Sequence, residues 1–403
     1  VDGVTYSNIE DERVAHLYPY SQSSYDGDWY YFNIDDNSPE KEISFTYNFE
    51  STNPYNVRAR SSHNNTLYYN PSIKYQPWLG HDGTPLYDPK GDGSGDVPTN
   101  CAPHNPYDTS LGCRDFTQIN DGSEGTNTDS YAIWFNGSNT GCIGKYSACY
   151  TGTGGFWPAT YYLWDTSNAN CDSTNVNDTD CYDEVQLTTD GEEMQNFANW
   201  YSYHRSRILV SRAAIGQAFA AQGNDLRVGF AAINKGSETI DGVSSNGAVT
   251  KGLRDFELTA AAGSDRELFF DSLYGHEMDR GDTPLRTALD YVGEYYERTD
   301  NAGPWAAIPG GTDTTAHETC RKSYNILMTD GYYNGSNPGY GNVDKTDGSS
   351  ITSDIDPNDP AYQYTPSFPY QDEFSDTLAD VAMHYWNRDL RTDVDNKVPP
   401  SPT

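Results

Sequence analysis

The sequence predicts an α/β fold in which a mostly parallel sheet is flanked by helices. From about Asp190 onward, segments with helical periodicity alternate with short apolar runs, and such alternation implies crossover connections between parallel strands. One apolar run, residues 325–328, stops at Thr329, Asp330 and Gly331. Because ligands bind beyond the carboxyl ends of parallel strands, we expect Asp330 to lie at a ligand-binding edge of the sheet.

The first elements of this α/β part follow one another closely. Residues 190–223 carry apolar and aromatic residues at steps of three and four and end in a glycine, which predicts one long amphipathic helix. Residues 226–234 form an apolar run that predicts a buried strand. Ser264 and Glu267 have the spacing of a capping box, so a helix is expected to follow.

The later elements repeat the alternation. Thr283 can cap a helix whose first turn holds Pro284. Residues 325–328 are the next predicted strand, and residues 375–391 have the periodicity of a last amphipathic helix. We therefore assign residues 188–403 to an α/β core.

Residues 1–187 have a different composition and are assigned to a separate region. Tyr, Asn, Asp, Ser, Gly and Pro dominate, and helical periodicity is nearly absent. Residues 26–34 and 160–166 are aromatic-rich strand candidates. Disordered chains are poor in aromatic residues, so we predict an irregular, ordered region with short strands.

Net charge and hydropathy exclude several function classes. The 403 residues carry 59 acids and 25 bases, a net charge of −34, which repels nucleic acid and anionic membrane surfaces. A secreted, cell-surface or salt-adapted protein fits this charge, as does an acidic surface that serves solubility alone. No stretch has the roughly 20 apolar residues of a membrane span. Val1 is followed by no signal segment, so we expect any export signal to be removed or to lie outside this sequence.

The seven cysteines indicate an oxidising compartment. Six of them form close pairs in loop-like sequence: Cys101 with Cys113, Cys142 with Cys149, and Cys171 with Cys181. Short-range disulfides account for this spacing better than a zinc site, although the connectivity stays open. Cys320 is either a buried free thiol or the partner of one of the six.

No enzyme motif stands out in the chain. The sequence lacks a GxSxG, an HExxH, a P-loop and a glycine-rich dinucleotide turn. We therefore predict a protein that is not an enzyme. A secreted polysaccharide-binding protein or hydrolase that uses exposed Trp and Tyr is an alternative, since carboxylate pairs are plentiful in so acidic a chain.

The element order resembles the von Willebrand factor A fold, a Rossmann-type architecture. The matching features are a Gly-Asp-Thr-Pro-Leu helix start at residues 281–285 and a strand that ends in Thr-Asp-Gly at residues 329–331. The resemblance implies an adhesion-type cation site from three loops, with Thr283 and Asp330 as its second and third elements. Mg²⁺ and Ca²⁺ prefer such oxygen ligands. Alternatively, Thr283 is only a helix cap and Asp330 only a turn residue.

The chain departs from that fold in two places. The first metal loop of the family, Asp-x-Ser-x-Ser, does not occur in these residues, and Asp165 begins only a near match. The sequence also stops before the closing strands of the domain. We therefore expect a domain that is incomplete at both ends and that carries a large disulfide-bearing insertion between its first strand and first helix. Arg280, Gly281 and Asp282 spell RGD, for which we favour a structural role.

Longer motifs resemble the PilC/PilY family of type IV pilus tip-associated proteins. The most distinctive are NWYSYHR at residues 199–205 and MTDGY at residues 328–332, and the resemblance extends from about Asn64 onward. It implies an extracellular adhesin and pilus biogenesis factor, with minor pilins at the pilus tip and a host or abiotic surface as partners. An alternative is a processed fragment that self-assembles into an extracellular filament or surface layer.

Overall fold

The chain divides into two compact units. The first comprises Val1–Gln222 with Tyr274–Glu277, and the second comprises Gly223–Leu273 with Met278–Thr403. The boundary predicted after residue 187, between the irregular region and the α/β core, stays a prediction. This computed structural model describes residues 57–58, 60–111, 113–117, 159–233, 239–240, 243–244, 247–258, 261–276, 283–329, 331–356, 358 and 360–398.

Helix α1 (Glu192–His204) organises the aromatic core of the first unit. Phe197 and Trp200 are fully buried. The Trp200 ring meets the Tyr68 ring edge-on with 4.8 Å between centroids, and its indole N–H donates to the Leu67 carbonyl at 3.1 Å. Aromatic residues thus supply apolar area while their polar ends bond to the backbone of irregular segments. The described part of this region is ordered, as its aromatic content predicts.

Helices α1 and α2 (Arg207–Ala220) are separate, so the prediction of one long helix is wrong. Ser206 leaves the helical conformation and caps α2, where its hydroxyl accepts from the Leu209 amide at 3.2 Å. The preceding Arg205 is buried, and its guanidinium donates to the carbonyls of Tyr201 and His104. The cap and this buried arginine give the physical reason for the break.

Short antiparallel hairpins complete the first unit. Strand β1 (Ala102–Pro103) pairs with β2 (Cys113–Arg114), and β3 (Thr160–Trp164) pairs with β4 (Tyr182–Gln186). Single-turn 3₁₀ helices occupy Thr109–Leu111 and Thr179–Cys181. The strand predicted over residues 160–166 is confirmed by β3, whereas the candidate at residues 26–34 lies outside the described residues.

Two disulfides cross-link these hairpins. Bonds join Cys101 to Cys113 and Cys171 to Cys181, which confirms two of the three predicted pairs. Cys142 and Cys149 lie outside the described residues. Cys320 is a free thiol, as favoured from the sequence, but it is exposed rather than buried. Its neighbours in the extended stretch 321–329 offer no core that could cover it.

The strands of the second unit also pair antiparallel. Strand β5 (Arg227–Ala231) pairs with β8 (Val249–Asp255), and β6 (Thr239–Ile240) pairs with β7 (Val243–Ser244). β5 confirms a strand within residues 226–234, but of its residues only Val228 is buried, so the predicted burial is not confirmed. Helices and strands both occur, consistent with an α/β class. The mostly parallel sheet is wrong for the described residues, because β5 and β8 run in opposite directions and every other described strand pair is also antiparallel.

Three helices accompany these strands: α3 (Asp265–Gly275), α4 (Leu285–Tyr296) and α5 (Leu378–Trp386). Ser264 caps α3, since its hydroxyl accepts from the Glu267 amide at 3.2 Å. Helix α4 packs on β8, where Tyr295 and Val249 share a buried cluster. Among the described residues, no helix has the length and apolar character needed to cross a membrane.

Residues 325–328 do not form the predicted buried strand. Residues 321–329 contain no helix, strand, turn or bend, and Ile326 is 76 % exposed. A strand needs a neighbour for its backbone groups, and in the part of the chain that the structure describes no strand lies beside this segment. The segment has the apolar pattern of a buried strand, but no strand that pairs with it is among the described residues.

Removal of the cap of α2 tests the break between α1 and α2. We expect Ser206→Ala to lower the free energy of unfolding by about 1 kcal/mol, because the Leu209 amide loses its acceptor. Ser211→Ala, at an exposed position inside the same helix, should be neutral or slightly stabilising, since alanine is the better helix former. Urea titrations of both variants make the comparison, and equal effects would contradict the capping role.

Candidate functional site

Three loop segments of the second unit meet at the start of α4 and α5. We call them together the loop cluster, defined as residues 283–287, 331–344 and 372–377. Arg286 joins two of these segments to the start of α4, because its guanidinium donates to the Gly335 carbonyl at 2.6 Å and to the Asp376 carbonyl at 2.9 Å. The cluster therefore contains Thr283 together with the segment that follows Asp330.

Thr283 is fastened to the loop that follows the Thr-Asp-Gly motif. Its amide donates to the Asn334 side-chain oxygen at 2.6 Å, and the Asn334 amide donates to the Thr283 carbonyl at 3.0 Å. Asp330 lies outside the described residues, and so does the RGD sequence at residues 280–282. The structure thus brings one predicted ligand, Thr283, next to the loop that carries the other.

The hydroxyl of Thr283 is not used as a helix cap. Helix α4 begins at Leu285, and Pro284 occupies the cap position without a side-chain hydrogen bond, so the capping interpretation of Thr283 is wrong. Thr283 is half-buried, and its hydroxyl has no hydrogen-bond partner within the described residues. The Thr283 hydroxyl is one of the two oxygen ligands of the predicted cation site.

The carboxylate of Asp380 holds the second side of the loop cluster. One oxygen accepts from the Thr377 amide at 2.8 Å and from the Thr377 hydroxyl at 3.0 Å, which closes a capping box at the start of α5. The other oxygen accepts from the amides of Val343 at 2.7 Å and Asp344 at 3.3 Å. Asp380 is fully buried, and these donors compensate the cost of burying its charge.

Asp376 also connects these loops, through both its side chain and its backbone. Its side chain accepts from the Gly341 amide at 2.8 Å, while its own amide donates to the Gly341 carbonyl at 3.0 Å. The backbone of Asp376 has φ of 58°, in the left-handed region that aspartate tolerates better than most residues. The paired hydrogen bonds stabilise this conformation and set the path of the chain into α5.

Asp344 is a buried acid whose carboxylate accepts too few hydrogen bonds to compensate the cost of burying its charge. It is 1 % exposed, one of its oxygens accepts from the Asp372 amide at 3.3 Å, and the other has no hydrogen-bond partner among the described residues. Burial raises the pKa of the Asp344 carboxyl above its usual range, opposed by the Asp372 amide, and the charges of Asp380 and Asp372 raise it further. The ionised form of Asp344 therefore destabilises the loop cluster.

The Asp290 carboxylate accepts hydrogen bonds from two tyrosines, and this contact connects α4 to α5. The hydroxyls of Tyr340 and Tyr385 both donate to one oxygen of Asp290 at 2.6 Å. Gly293 permits the close approach of Tyr385, since a Cβ at that position would stand 2.3 Å from the tyrosine ring. Burial, together with the hydrogen bond to Asp290, raises the pKa of Tyr385, so its proton stays on the phenol.

His384 joins this network as a neutral imidazole. Its ring stacks on Tyr340 with 3.7 Å between centroids, and its Nε2 accepts from the Arg388 guanidinium at 3.0 Å. Because arginine only donates, Nε2 carries no proton. Burial lowers the pKa of His384, and the Arg388 charge lowers it further. The arrangement fixes side chains rather than poising a proton for transfer.

The loop cluster and its neighbouring loop expose several aromatic side chains. Tyr332 is 99 % exposed, Phe368 90 % and Phe374 71 %. Contiguous exposed apolar patches mark surfaces that bind other molecules, whereas single exposed apolar side chains are common on proteins. Within the described residues, no group of three or more His, Cys, Asp or Glu has a metal-binding arrangement. The cation site of Thr283 and Asp330 stays a prediction.

Sequence reasoning missed the buried acids of the loop cluster. Thr377 and Asp380 have capping-box spacing, which was readable from the sequence, but their contacts with residues 343–344 depend on tertiary structure. His204 at the end of α1 is held by a structural contact, because its Nε2 lies within hydrogen-bond distance of the Gln76 carbonyl at 2.8 Å, and burial lowers its pKa.

The chain is similar to the type IV pilus biogenesis factor PilY1 of Pseudomonas aeruginosa. The protein of strain PAO1 is 37 % identical over 249 residues, which are 60 % of this chain and 19 % of that relative. The protein of strain UCBPP-PA14 is 31 % identical over 345 residues, 85 % of this chain and 26 % of the relative. These similarities support the resemblance to the PilC/PilY family. The chain spans about a fifth to a quarter of the length of these relatives, no family model matches it, and no solved structure matches it.

Neutralisation of Asp344 tests the electrostatics of the loop cluster. We expect Asp344→Asn to raise the free energy of unfolding at pH 7 by on the order of 1 kcal/mol, because asparagine removes a buried charge. The folded pKa is raised, so protonation of Asp344 stabilises the fold below the pKa of the unfolded chain, and this stability is lost as the pH rises through the folded pKa.

The gain should therefore shrink as the pH falls and disappear below about pH 4. Thermal melts of wild type and variant over this range provide the measurement. Asp347→Asn serves as the control, since Asp347 is exposed in the same loop and its neutralisation should change little. A gain that is independent of pH would contradict the charge explanation.

Proposed function

We propose that this chain acts in type IV pilus biogenesis as part of an extracellular, tip-associated adhesin. The observation that carries the proposal is the identity of 31 to 37 % with PilY1 proteins, supported by the NWYSYHR and MTDGY motifs. The two disulfides support passage through an oxidising compartment. The chain binds through surfaces rather than by catalysis, with minor pilins at the pilus tip and a host or abiotic surface as its partners.

The proposed binding surface is the loop cluster, within a von Willebrand factor A-like domain. Hydrogen bonds fix the loops against the starts of two helices, so the exposed aromatic side chains stand on a rigid base. Preorganised contact surfaces lose little entropy on binding. Tyr332 and Phe374 supply apolar area there, and the surrounding acidity of the chain keeps the surface soluble when it is free.

The same proposal includes a divalent cation, Mg²⁺ or Ca²⁺, held by Thr283 and Asp330. The fit rests on the Thr283 hydroxyl, which has no partner among the described residues, and on its link to the loop that follows Asp330. Both residues offer oxygen ligands to a hard cation. A bound cation would supply positive charge on an acidic surface, and its open coordination positions would accept an acidic group of a partner.

Cation binding gives a direct test at Thr283. We expect the wild-type chain to bind Mg²⁺, Mn²⁺ or Ca²⁺ in titration calorimetry, and Asp330→Ala to abolish the binding, because the carboxylate is the charged ligand. Thr283→Val removes the hydroxyl at nearly constant volume and should weaken binding, whereas Thr283→Ser keeps the hydroxyl and should retain it. Binding that survives Asp330→Ala would contradict the assignment.

Association with minor pilins tests the proposed function itself. Under oxidising conditions, the immobilised chain should retain minor pilins of a type IV pilus system, because PilY1 relatives are pilus biogenesis factors. Asp395→Ala, an exposed acid outside the loop cluster, is the matched control for Asp330→Ala in the same assay. A folded, disulfide-bonded chain that retains no minor pilin would count against the pilus role.

A further inference from the structure

Residues 366–375, here called the aromatic loop, are a stretch of the second unit that buries little apolar surface. Residues 367–375 are exposed throughout. Three of them carry aromatic rings that lie largely in solvent, namely Phe368, Tyr370 and Phe374. Segments with few buried apolar contacts are the first to open in a folded protein, so the position of this loop depends on its polar contacts.

The polar contacts of the aromatic loop converge on one short segment. The Asp372 amide donates to an oxygen of the Asp344 carboxyl group at 3.3 Å, and the Asn342 side chain donates to the Asp372 carbonyl at 3.2 Å. Lys345 pairs with Glu373, and such exposed ion pairs contribute little to stability. Both hydrogen bonds are longer than usual. The loop is thus held weakly, and its contact with Asp344 lies on the carboxyl group itself.

Two acids and a tyrosine face Asp344 from the elements packed against it. Asp372 of the aromatic loop and Asp380 in the first turn of α5 both repel a negative charge on Asp344. The Tyr364 hydroxyl donates to the Asp344 carbonyl at 2.6 Å, which leaves the carboxyl group without this donor. One carboxyl oxygen has no hydrogen-bond partner among the described residues. Burial of a neutral acid in such a place costs much less than burial of a carboxylate.

We propose that the aromatic loop is a pH-dependent strap, which is closed over Asp344 while this acid is protonated and opens when the acid ionises. Opening lets water reach the carboxylate, and it breaks only the weak contacts of the loop. Asp380 stays bonded to the Val343 amide at 2.7 Å and Asp376 to the Gly341 amide at 2.8 Å. The inference rests on Asp344 and the aromatic loop, and it is independent of the proposed pilus function.

Low pH closes the strap and higher pH opens it. Burial raises the pKa of Asp344 in the closed state, whereas a solvated aspartate in the open state titrates near pH 4. The closed state is therefore fully favoured below about pH 4, and this preference is lost as the pH rises through the closed-state pKa. In that interval the ratio of open to closed molecules rises about tenfold for each pH unit, and above it the ratio is constant.

Hydrogen exchange between about pH 4 and about pH 8 tests the strap on the 403-residue chain with its disulfides intact. The Asp372 amide reports on the strap, because its acceptor is the Asp344 carboxyl group. The Ala232 amide, bonded to the Ala248 carbonyl at 2.9 Å, reports on the rest of the unit. After correction for the intrinsic pH dependence of exchange, protection of the Asp372 amide should fall about tenfold per pH unit up to the closed-state pKa. Protection of the Ala232 amide should not follow this course.

Three variants separate the charge of Asp344 from other causes. Asp344→Asn should keep the Asp372 amide protected at every pH, because asparagine does not ionise and its side-chain oxygen still accepts. Asp372→Asn should keep the pH dependence but end it at a lower pH, since one repelling charge is removed. This second variant also provides the test if Asp344→Asn folds poorly. Asp347→Asn, at an exposed position near Asp344, is the control and should match the wild type.

Several results would overturn the proposal. One is protection of the Asp372 amide that does not change with pH, and another is a pH dependence that Asp344→Asn retains. Equal loss of protection at Ala232 would mean that the whole unit unfolds. If Mg²⁺ or Ca²⁺ restores protection of the Asp372 amide at neutral pH, a cation rather than a proton closes the strap.

Discussion

The buried carboxylate of Asp380 is the constraint on which the loop cluster depends. One charged group satisfies the start of α5 and two amides of the loop at residues 343–344. A buried charge is tolerated only when it is hydrogen-bonded, so α5 and the loop cannot separate without a large loss of free energy. Arg286 and Asp376 then connect this assembly to the start of α4 and to Gly335. The position of Thr283 follows from these contacts.

The described part of the first unit is stabilised in a different way and contains no sheet of more than two strands. Its strands pair only as short hairpins, and its irregular segments attach to α1 through aromatic packing. Trp78 and Trp200 each bury a large ring and donate an indole N–H to a backbone carbonyl. In this arrangement backbone groups that lack a strand or helix partner still find hydrogen bonds. Disulfides and indoles together explain how such a composition forms an ordered structure.

Much of the local structure could be predicted from the sequence, because it depends on local chemistry. The cap at Ser264, the strand at residues 227–231 and the two described disulfides follow from spacing and composition alone. The break at Ser206 was missed because apolar periodicity continues across it, while the contacts of Arg205 with the His104 carbonyl are tertiary. The site could be predicted only as far as Thr283 and the Thr-Asp-Gly loop. Asp344 and Asp380 depend on burial, which a sequence pattern does not determine.

Residues 325–328 also show that a sequence pattern alone does not determine burial. Their apolar run predicts a buried strand, because apolar side chains in an extended segment favour a sheet interior, but the structure leaves these residues exposed. Burial also needs neighbours, and these are not among the described residues. In the sequence, this apolar run leads directly into the Thr-Asp-Gly motif at residues 329–331.

We propose that Thr283 and Asp330 bind one divalent cation beside the loop cluster. An experimental structure of the chain soaked with Mn²⁺ tests this most directly, because the anomalous signal of the metal locates it without assumption. The account predicts one peak within about 2.5 Å of the Thr283 hydroxyl and of an Asp330 carboxylate oxygen. No peak at this position, with Thr283 and Asp330 directed apart, would contradict it.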